Sequence, residues 1–445
     1  MRSTSVMMLP LGSAPGILYR RVMKLPVSTL AEAKLVLDRE RAELQPAAEY
    51  DHPLYVERQD DVFDDLLTEA ETARTSGRPF RWFYTGHTGA GKSTEINRII
   101  KSDRLTNLYV PFVYRIKDSL DINDLDFTDI LLAIAEAVIQ LAKREEVKIE
   151  GELQTRILHW GKEIEIEDDI TVTGSMTATV EANAVFGKFA SEVQVGGSKK
   201  SVIRQKLRDR LTDFIKLVDD LVKAVENKKV RKVLVILDTL DHVDFTPIRD
   251  IFTQHWASLS RPKVSLLIVV PLSIIHEKQL MAEVQENFTL LPNIRVFDGP
   301  KTTKLDSEGY RFFKEVISRL ADLKLFSEPA LRDIFQLSGG MLRDMIGIAG
   351  DACKHADRDN PEGKVSTAHV RRVSNDRMAY FHRLLLKKDY EVLREVAQNP
   401  HPLGFDDMGP LLHLKAILYF PNGRGWYALH PAVKAILDEA SESQS

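Results

Sequence analysis

The 445-residue chain contains one cysteine, Cys353, which excludes a disulfide framework and suits a reducing compartment such as the cytoplasm. It lacks the ~18 continuous apolar residues that a membrane helix requires. Its longest apolar run, 264–275, is interrupted by Ser265, Pro271 and Ser273 and reads as a buried strand with its exit. The opening MRSTSVMMLPLGSAPG has one arginine and an apolar patch shorter than the ~7–15 residues of a secretory leader. This start reads as a loose tail, or as sequence upstream of a start at Met23. Neither charge is in excess: 61 Lys and Arg face 65 Asp and Glu, for a net charge of −4. That balance counts against a chain whose main task is to hold nucleic acid. Fixed-period repeats and low-complexity tracts are also missing.

What is present is enough chain for two to four folded units, with 44% hydrophobic and 28% charged residues, the balance of a soluble globular protein. Thr29 and Glu32 form a capping box ahead of Leu30, Leu35, Val36 and Leu37, announcing a helix that ends before Pro46. A second helix is expected over 61–76, stopped by Gly77. A short aromatic strand at 80–85 leads into a glycine-rich turn, and 94–101 returns to helical spacing. A strand at 108–114, a helix over 124–143 and a single helix over 202–226 follow. The runs 233–237 and 264–270 are continuously apolar, as strands covered on both faces should be. Strands alternating with helices predict a doubly wound α/β core with a parallel sheet. Beyond about residue 301 the pattern turns helical, with helices expected at 378–398 and 406–415. Strand-like segments flank Asn422-Gly423, and a last helix follows His430-Pro431; two or three helices with such a hairpin predict a winged helix. The expected units are an N-terminal tail and helix (1–50), the α/β core (51–300) with a β-rich insert (150–200), a helical lid (301–370) and the winged helix (371–445).

The turn Gly86-His87-Thr88-Gly89-Ala90-Gly91-Lys92-Ser93, followed by Thr94, satisfies G-x-x-x-x-G-K-S completely, between a predicted strand and a predicted helix. Such a P-loop lets backbone N–H groups curl around a phosphate, and the following helix aims its positive end at the anion. Lys92 can reach the β- and γ-phosphates of ATP, and the Ser93 hydroxyl can ligate Mg²⁺. A P-loop needs an acidic partner at the end of a neighbouring strand, and Asp238, leaving the run 233–237, is placed to hold the Mg²⁺ shell. Asp241 either orients the attacking water or serves as a turn residue. Ser273, beyond the strand 264–270, either touches the γ-phosphate or water, or merely forms the turn. Behind Gly339-Gly340, Arg343 either reaches back to the γ-phosphate as a sensor or lies on the surface beside a helix break.

Taken together, the P-loop, the hhhhhDxxD strand end, the Gly-Gly-x-x-Arg segment and the terminal winged helix resemble the AAA+ and STAND group of P-loop ATPases. Within it they are most similar to bacterial STAND and Orc/Cdc6-like proteins. The resemblance implies Lys92 and Ser93 as Walker A residues, Asp238 as the Walker B aspartate and Asp241 as the second acid. It also implies Ser273 as sensor 1 and Arg343 as sensor 2. Thr239 stands where an AAA+ protein has glutamate, and His242 where NACHT-type proteins have it, which implies slow hydrolysis. Arg261 and Arg295 are both open as an arginine finger. The implied activity is that of a Mg²⁺-dependent ATPase switch, oligomerising with ATP and engaging a protein partner in bacterial signalling or antiviral defence. The alternative is a DNA-acting AAA+ protein: an initiator, loader or transposition regulator. The segment 406–415 begins with two acids and carries one lysine, whereas a major-groove helix needs Arg, Lys, Asn or Gln, so protein docking is favoured over DNA. From Ile170 the chain alternates apolar and polar for seventeen residues, which predicts a β-hairpin insert. It either lies on its own domain or serves self-assembly; a membrane-inserting hairpin is the third option.

Overall fold

A computed structural model of the chain describes residues 24–38, 54–58, 62–149, 151–163, 198–284, 287–299, 302, 304–401, 408–421 and 424–442. Five parallel strands form the central sheet: β1 (Arg81–Thr85), β2 (Tyr109–Arg115), β3 (Lys232–Asp238), β4 (Ser265–Val269) and β5 (Phe288–Leu290). Their order is β2-β3-β4-β1-β5. The apolar runs in β3 and β4 are buried along their length, so the α/β class follows from them directly. One expectation needs correction. The acidic strand β3 does not adjoin β1, because β4 lies between them, pairing Leu266–Val269 with Arg81–Tyr84 and Ser265–Ile268 with Leu234–Leu237. Two strand spacings, roughly 9–10 Å, therefore separate the end of β1 from Asp238, and the exit of β4 falls between them.

On one face of the sheet lies the helix Phe127–Arg144, apolar on nearly every side and buried accordingly. It starts at a capping box between Asp126 and Asp129 and packs against the helix Leu211–Lys229. The single helix expected over 202–226 breaks at Arg210 into Ser198–Asp209 and Leu211–Lys229. The first piece turns Lys200, Arg204 and Arg208, four residues apart and thus on one face, toward acids at the start of the buried helix. Lys200 pairs with Asp124 at 2.9 Å, Arg204 with Asp129 and Arg208 with Asp126, both at 2.5 Å. These contacts hold one stub of the insert; the alternating run itself, within 164–197, lies outside the described residues. The other face carries Asp64–Thr75 and Lys92–Ile99 over Phe63, Leu66, Tyr84 and Ile96.

Beyond β5 the chain is mainly helical. Ser307–Leu320, Glu328–Leu337, Leu342–Asp359 and Thr367–Leu384 share one core with the elements that follow. Those are Asp389–Gln398, Met408–His413, the antiparallel pair β6 (Ile417–Phe420) and β7 (Trp426–Leu429), and Pro431–Glu442. The helix expected over 378–398 is two, parted at residues 385–388. The expected boundary at 370/371 falls inside Thr367–Leu384. Residues 422–423 lie outside the described residues. The first helix ends at Val36, and its Leu30, Ala33 and Leu37 join this C-terminal core. Among the described residues no helix is long and apolar enough to cross a membrane.

Candidate nucleotide site

β1 ends at Thr85 and the glycine-rich turn runs directly into the helix Lys92–Ile99, which contains Ser93 and Thr94. Gly89 has φ +93°, and a Cβ there would lie 2.8 Å from the Cβ of Arg343. No side chain fits at that position, because another segment crosses it. Lys92, 4% exposed, donates from Nζ to the carbonyls of Gly86 at 2.8 Å and His87 at 3.0 Å. The same Nζ pairs with Asp241 Oδ2 at 2.8 Å. Ser93 Oγ donates to Asp238 Oδ1 at 3.2 Å, and that oxygen also accepts the Thr239 N–H at 2.8 Å. The fold thus brings Lys92, Ser93, Asp238 and Asp241 together, although β3 is two strands away from β1.

The turn after β3 explains how Asp241 gets there. Thr239 has φ +74°, which is uncommon for a β-branched residue and needs support from its surroundings. Its hydroxyl supplies some of that support, donating to the Asp238 carbonyl at 2.6 Å and accepting the Lys117 N–H at 3.1 Å. The short turn Leu240–His242 then folds back, and Thr88 Oγ1 donates to the Asp241 carbonyl at 3.3 Å.

Two buried carboxylates sit close together, and their environments separate them. Burial pushes Asp238 above the usual carboxylate range, and the negative Asp241 adds to this against the opposing bonds from Ser93 and Thr239. Burial also acts upward on Asp241, but the Lys92 ammonium outweighs it, helped by His242 and Arg343, and the carboxyl lies below its ordinary range. Among the described residues no cluster of three or more His, Cys, Asp or Glu could hold a metal. The Ser93 hydroxyl and Asp238 carboxylate nevertheless fit an ion such as Mg²⁺, which takes few protein oxygens and completes its shell from water and phosphate. The loop's backbone donors, Lys92 and the helix N-terminus fit a polyphosphate.

The remaining sequence candidates are placed differently. Ser273 lies in the turn Leu272–His276, fully buried, and its Oγ makes no hydrogen bond with the residues above. The helix Met408–His413 covers that turn. Arg343 lies in the first turn of the helix Leu342–Asp359, its backbone N–H donating to the Gly89 carbonyl at 3.0 Å. Its side chain is exposed, close enough for its charge to lower Asp241. Arg261 donates to Thr212 Oγ1 at 3.1 Å, and Arg295 lies 3.6 Å from Asp306.

Sequence reasoning missed two participants. Arg58, buried, donates to the Ala90 carbonyl at 3.0 Å and to that of Pro292, bracing the loop against the connection after β5. No local pattern around residue 58 signals this. The second is the ring of His87, 2% exposed, whose Nε2 accepts the backbone N–H of Tyr419 in β6 at 2.9 Å. Burial, then the neighbouring Lys92, pushes this imidazole down to about 3, so it is neutral. The C-terminal elements therefore lie on the P-loop. In the segment 406–415, considered above as a recognition helix, Met408, Gly409, Leu411 and Leu412 are buried, with Gly409 against the Phe245 ring. This helix faces the α/β core; residues 406–407 lie outside the described residues.

No protein-family model matches the chain, and no curated protein matches it. Among solved structures it is similar to the Aeropyrum pernix Orc1 protein in complex with DNA, at 14% identity and a TM-score of 0.39, covering 88% of this chain and 95% of that one. It is also similar to Drosophila ORC bound to DNA, at 13% identity and a TM-score of 0.37, with 96% of both chains covered. Cdc6p from Pyrobaculum aerophilum gives 10% identity and a TM-score of 0.36, covering 88% of this chain and 98% of that one. At these scores the chemistry of the site rests on its own geometry.

Proposed function

We propose that this chain is a Mg²⁺-dependent ATPase of the AAA+ kind, working as a slow molecular switch. The observation that carries the reading is the convergence of Lys92, Ser93, Asp238 and Asp241 around the loop. Lys92 and the loop N–H groups would hold the β- and γ-phosphates, and Ser93 with Asp238 would hold the Mg²⁺ that neutralises charge developing there. Asp241, held anionic by Lys92 in this conformation, would be the acid that orients water and takes its proton. Thr239 offers no second carboxylate, which favours slow turnover and a switching role. Arg343, docked on Gly89, would report whether a γ-phosphate is present. The switch would form a nucleotide-dependent homo-oligomer and engage a protein partner, in signalling or antiviral defence in the cytoplasm.

A DNA-acting role is the second reading. The buried placement of Met408–His413 counts against that helix as its reader in this conformation, but Arg383, Lys387, Lys388 and Arg394, interspersed with Asp389 and Glu391, are exposed and could contact phosphates. Light scattering after size exclusion, in ADP and in a non-hydrolysable ATP analogue, with and without duplex DNA, tests both readings. An ATP-specific rise in mass without DNA supports the switch, and a mass shift only with DNA supports the alternative. The same monomer under all conditions refutes the oligomer.

A further inference from the structure

We propose that His87 is a positioning residue that ties the C-terminal hairpin to the P-loop, so that a docked hairpin opposes triphosphate binding. The proposal rests on reading the loop as the ATP site and adds how that site is regulated. In an antiparallel ribbon, residues directly opposite each other exchange both backbone bonds or neither. Tyr419 faces Tyr427 in the β6–β7 pair, and both N–H groups go elsewhere: Tyr427 donates to the Pro400 carbonyl at 2.8 Å and Tyr419 to His87 Nε2 at 2.9 Å. The Tyr419 N–H thus belongs to the outer edge of the ribbon, and the acceptor that satisfies it is a P-loop side chain 332 residues earlier. An Nε2 that accepts leaves the proton on Nδ1, and that nitrogen is buried with no partner.

The other end of the same residue faces the phosphate site. The His87 carbonyl accepts from Lys92 Nζ at 3.0 Å and from the Ala90 N–H at 3.0 Å. One short peptide segment therefore holds Lys92 on its backbone side and the hairpin on its ring side. A phosphate oxygen is a stronger partner for an ammonium than a neutral carbonyl, so a bound triphosphate draws Nζ away from Gly86 and His87. The loop arrangement that presents the ring to Tyr419 is then no longer the one Lys92 supports. The hairpin touches the site at two more points: Leu418 Cδ1 lies 2.4 Å from where a Gly339 Cβ would be, and Tyr427 Oη is 3.3 Å from His276 Nε2. Movement of the β6–β7 pair as a unit would thus reach both Gly339, ahead of the helix Leu342–Asp359, and His276, in the turn after β4. Coupling between binding events is reciprocal: if triphosphate loosens the hairpin, removing the hairpin's bond tightens triphosphate by the same factor.

The test uses the full chain, and its first arm changes no P-loop residue. Tyr419→Pro deletes the N–H on the side the ribbon does not need, where proline is tolerated; Tyr419→Ala keeps the N–H and loses only the ring. Titration calorimetry with a non-hydrolysable ATP analogue and Mg²⁺ should show Tyr419→Pro binding about fivefold more tightly than Tyr419→Ala, the size of one net hydrogen bond. Should the proline variant fail to fold, hydrogen exchange at the Tyr419 amide decides instead. The analogue should speed that exchange in the wild type and in His87→Gln, whose amide oxygen can stand in for Nε2. In His87→Ala exchange should be fast with or without nucleotide, while β3 stays protected. Equal affinities for the two Tyr419 variants, or a Tyr419 amide indifferent to nucleotide in a wild type that binds it, overturns the latch. A wild type that binds no nucleotide overturns the ATP-site reading and the latch with it.

Discussion

Replacing Asp241 with asparagine should lower stability and raise ATP affinity together, and this opposition is the sharpest consequence of the site's geometry. Lys92 and Asp241 are 4% and 5% exposed and 2.8 Å apart. At an effective dielectric constant of ~20 their attraction is about 6 kcal/mol before desolvation is subtracted. Removing one partner of a buried pair typically costs about 3–5 kcal/mol. The lower end applies, because Nζ keeps the carbonyls of Gly86 and His87. A loss of about 3 kcal/mol should lower the melting temperature by roughly 6–12 °C for a domain of this size. For ATP the sign reverses. In the native chain the nucleotide must part Lys92 from Asp241 and then lie beside a buried anion; the asparagine removes both obstacles. Affinity should rise about tenfold, or ~1.4 kcal/mol, while turnover is lost because an amide cannot take a proton from water. Differential scanning fluorimetry, calorimetric titration and single-turnover phosphate release measure the three quantities. Weaker ATP binding, or hydrolysis at the native rate, would refute the assignment of Asp241.

Lys92→Ala should abolish measurable ATP binding by calorimetry, since the loop loses its charged phosphate partner; near-native affinity would end the P-loop assignment. Gly340 has φ +82°, and a Cβ there would lie 1.9 Å from the Ile294 carbonyl oxygen, so Gly340→Ala should cost at least about 2 kcal/mol and loosen the lid. Limited proteolysis between 291 and 345 would detect that loosening. Acid should undock the hairpin. His87 is pushed from its ordinary 6.5 down to about 3, by burial first and then by Lys92, Lys415 and His430, with Asp344 opposing. The unfolded chain takes up this proton below pH ~6.5 and the folded chain does not until about 3. Folded stability therefore falls with pH across that window, by at most ~1.4 kcal/mol per pH unit. Burial also lowers His242, His276 and His413, so the measurement is the difference in melting between the wild type and His87→Gln from pH 7.5 to 5. No difference would exclude His87 as the sensitive group.

The sequence made the loop, the core strands and Asp238 legible because each is a local pattern with a local cause: glycines where backbone must wrap an anion, and unbroken apolar runs where a strand has no wet face. The strand order was not legible. Nothing in 264–270 says that it inserts between β1 and β3, since pairing is decided by which helices cover which face. β5, three residues long, is too short to show any period. The break at Arg210 eluded periodicity because the apolar stripe continues on both sides; the acids around Asp124–Asp129 that draw the first half away lie some eighty residues earlier. The hydrogen bond between His87 and Tyr419 left no trace either, being a side chain on a backbone N–H that any residue but proline would offer.

The position of β1 in the sheet also bears on how the protein is made. Both neighbours of this strand come late: Phe80 already bonds Ser265, 185 residues on, and β5 follows only at 288–290. A ribosome adding ~5–20 residues each second leaves β1, with Trp82, Phe83 and Tyr84, unpaired for roughly ten to forty seconds. β2 and β3 can pair with each other meanwhile, but they offer β1 no edge until β4 emerges. The nascent chain thus carries a bare aromatic strand while those 185 residues are added, a target for chaperones. Slowing translation ahead of β4 would lengthen this exposure, whereas slowing it after β5 would not.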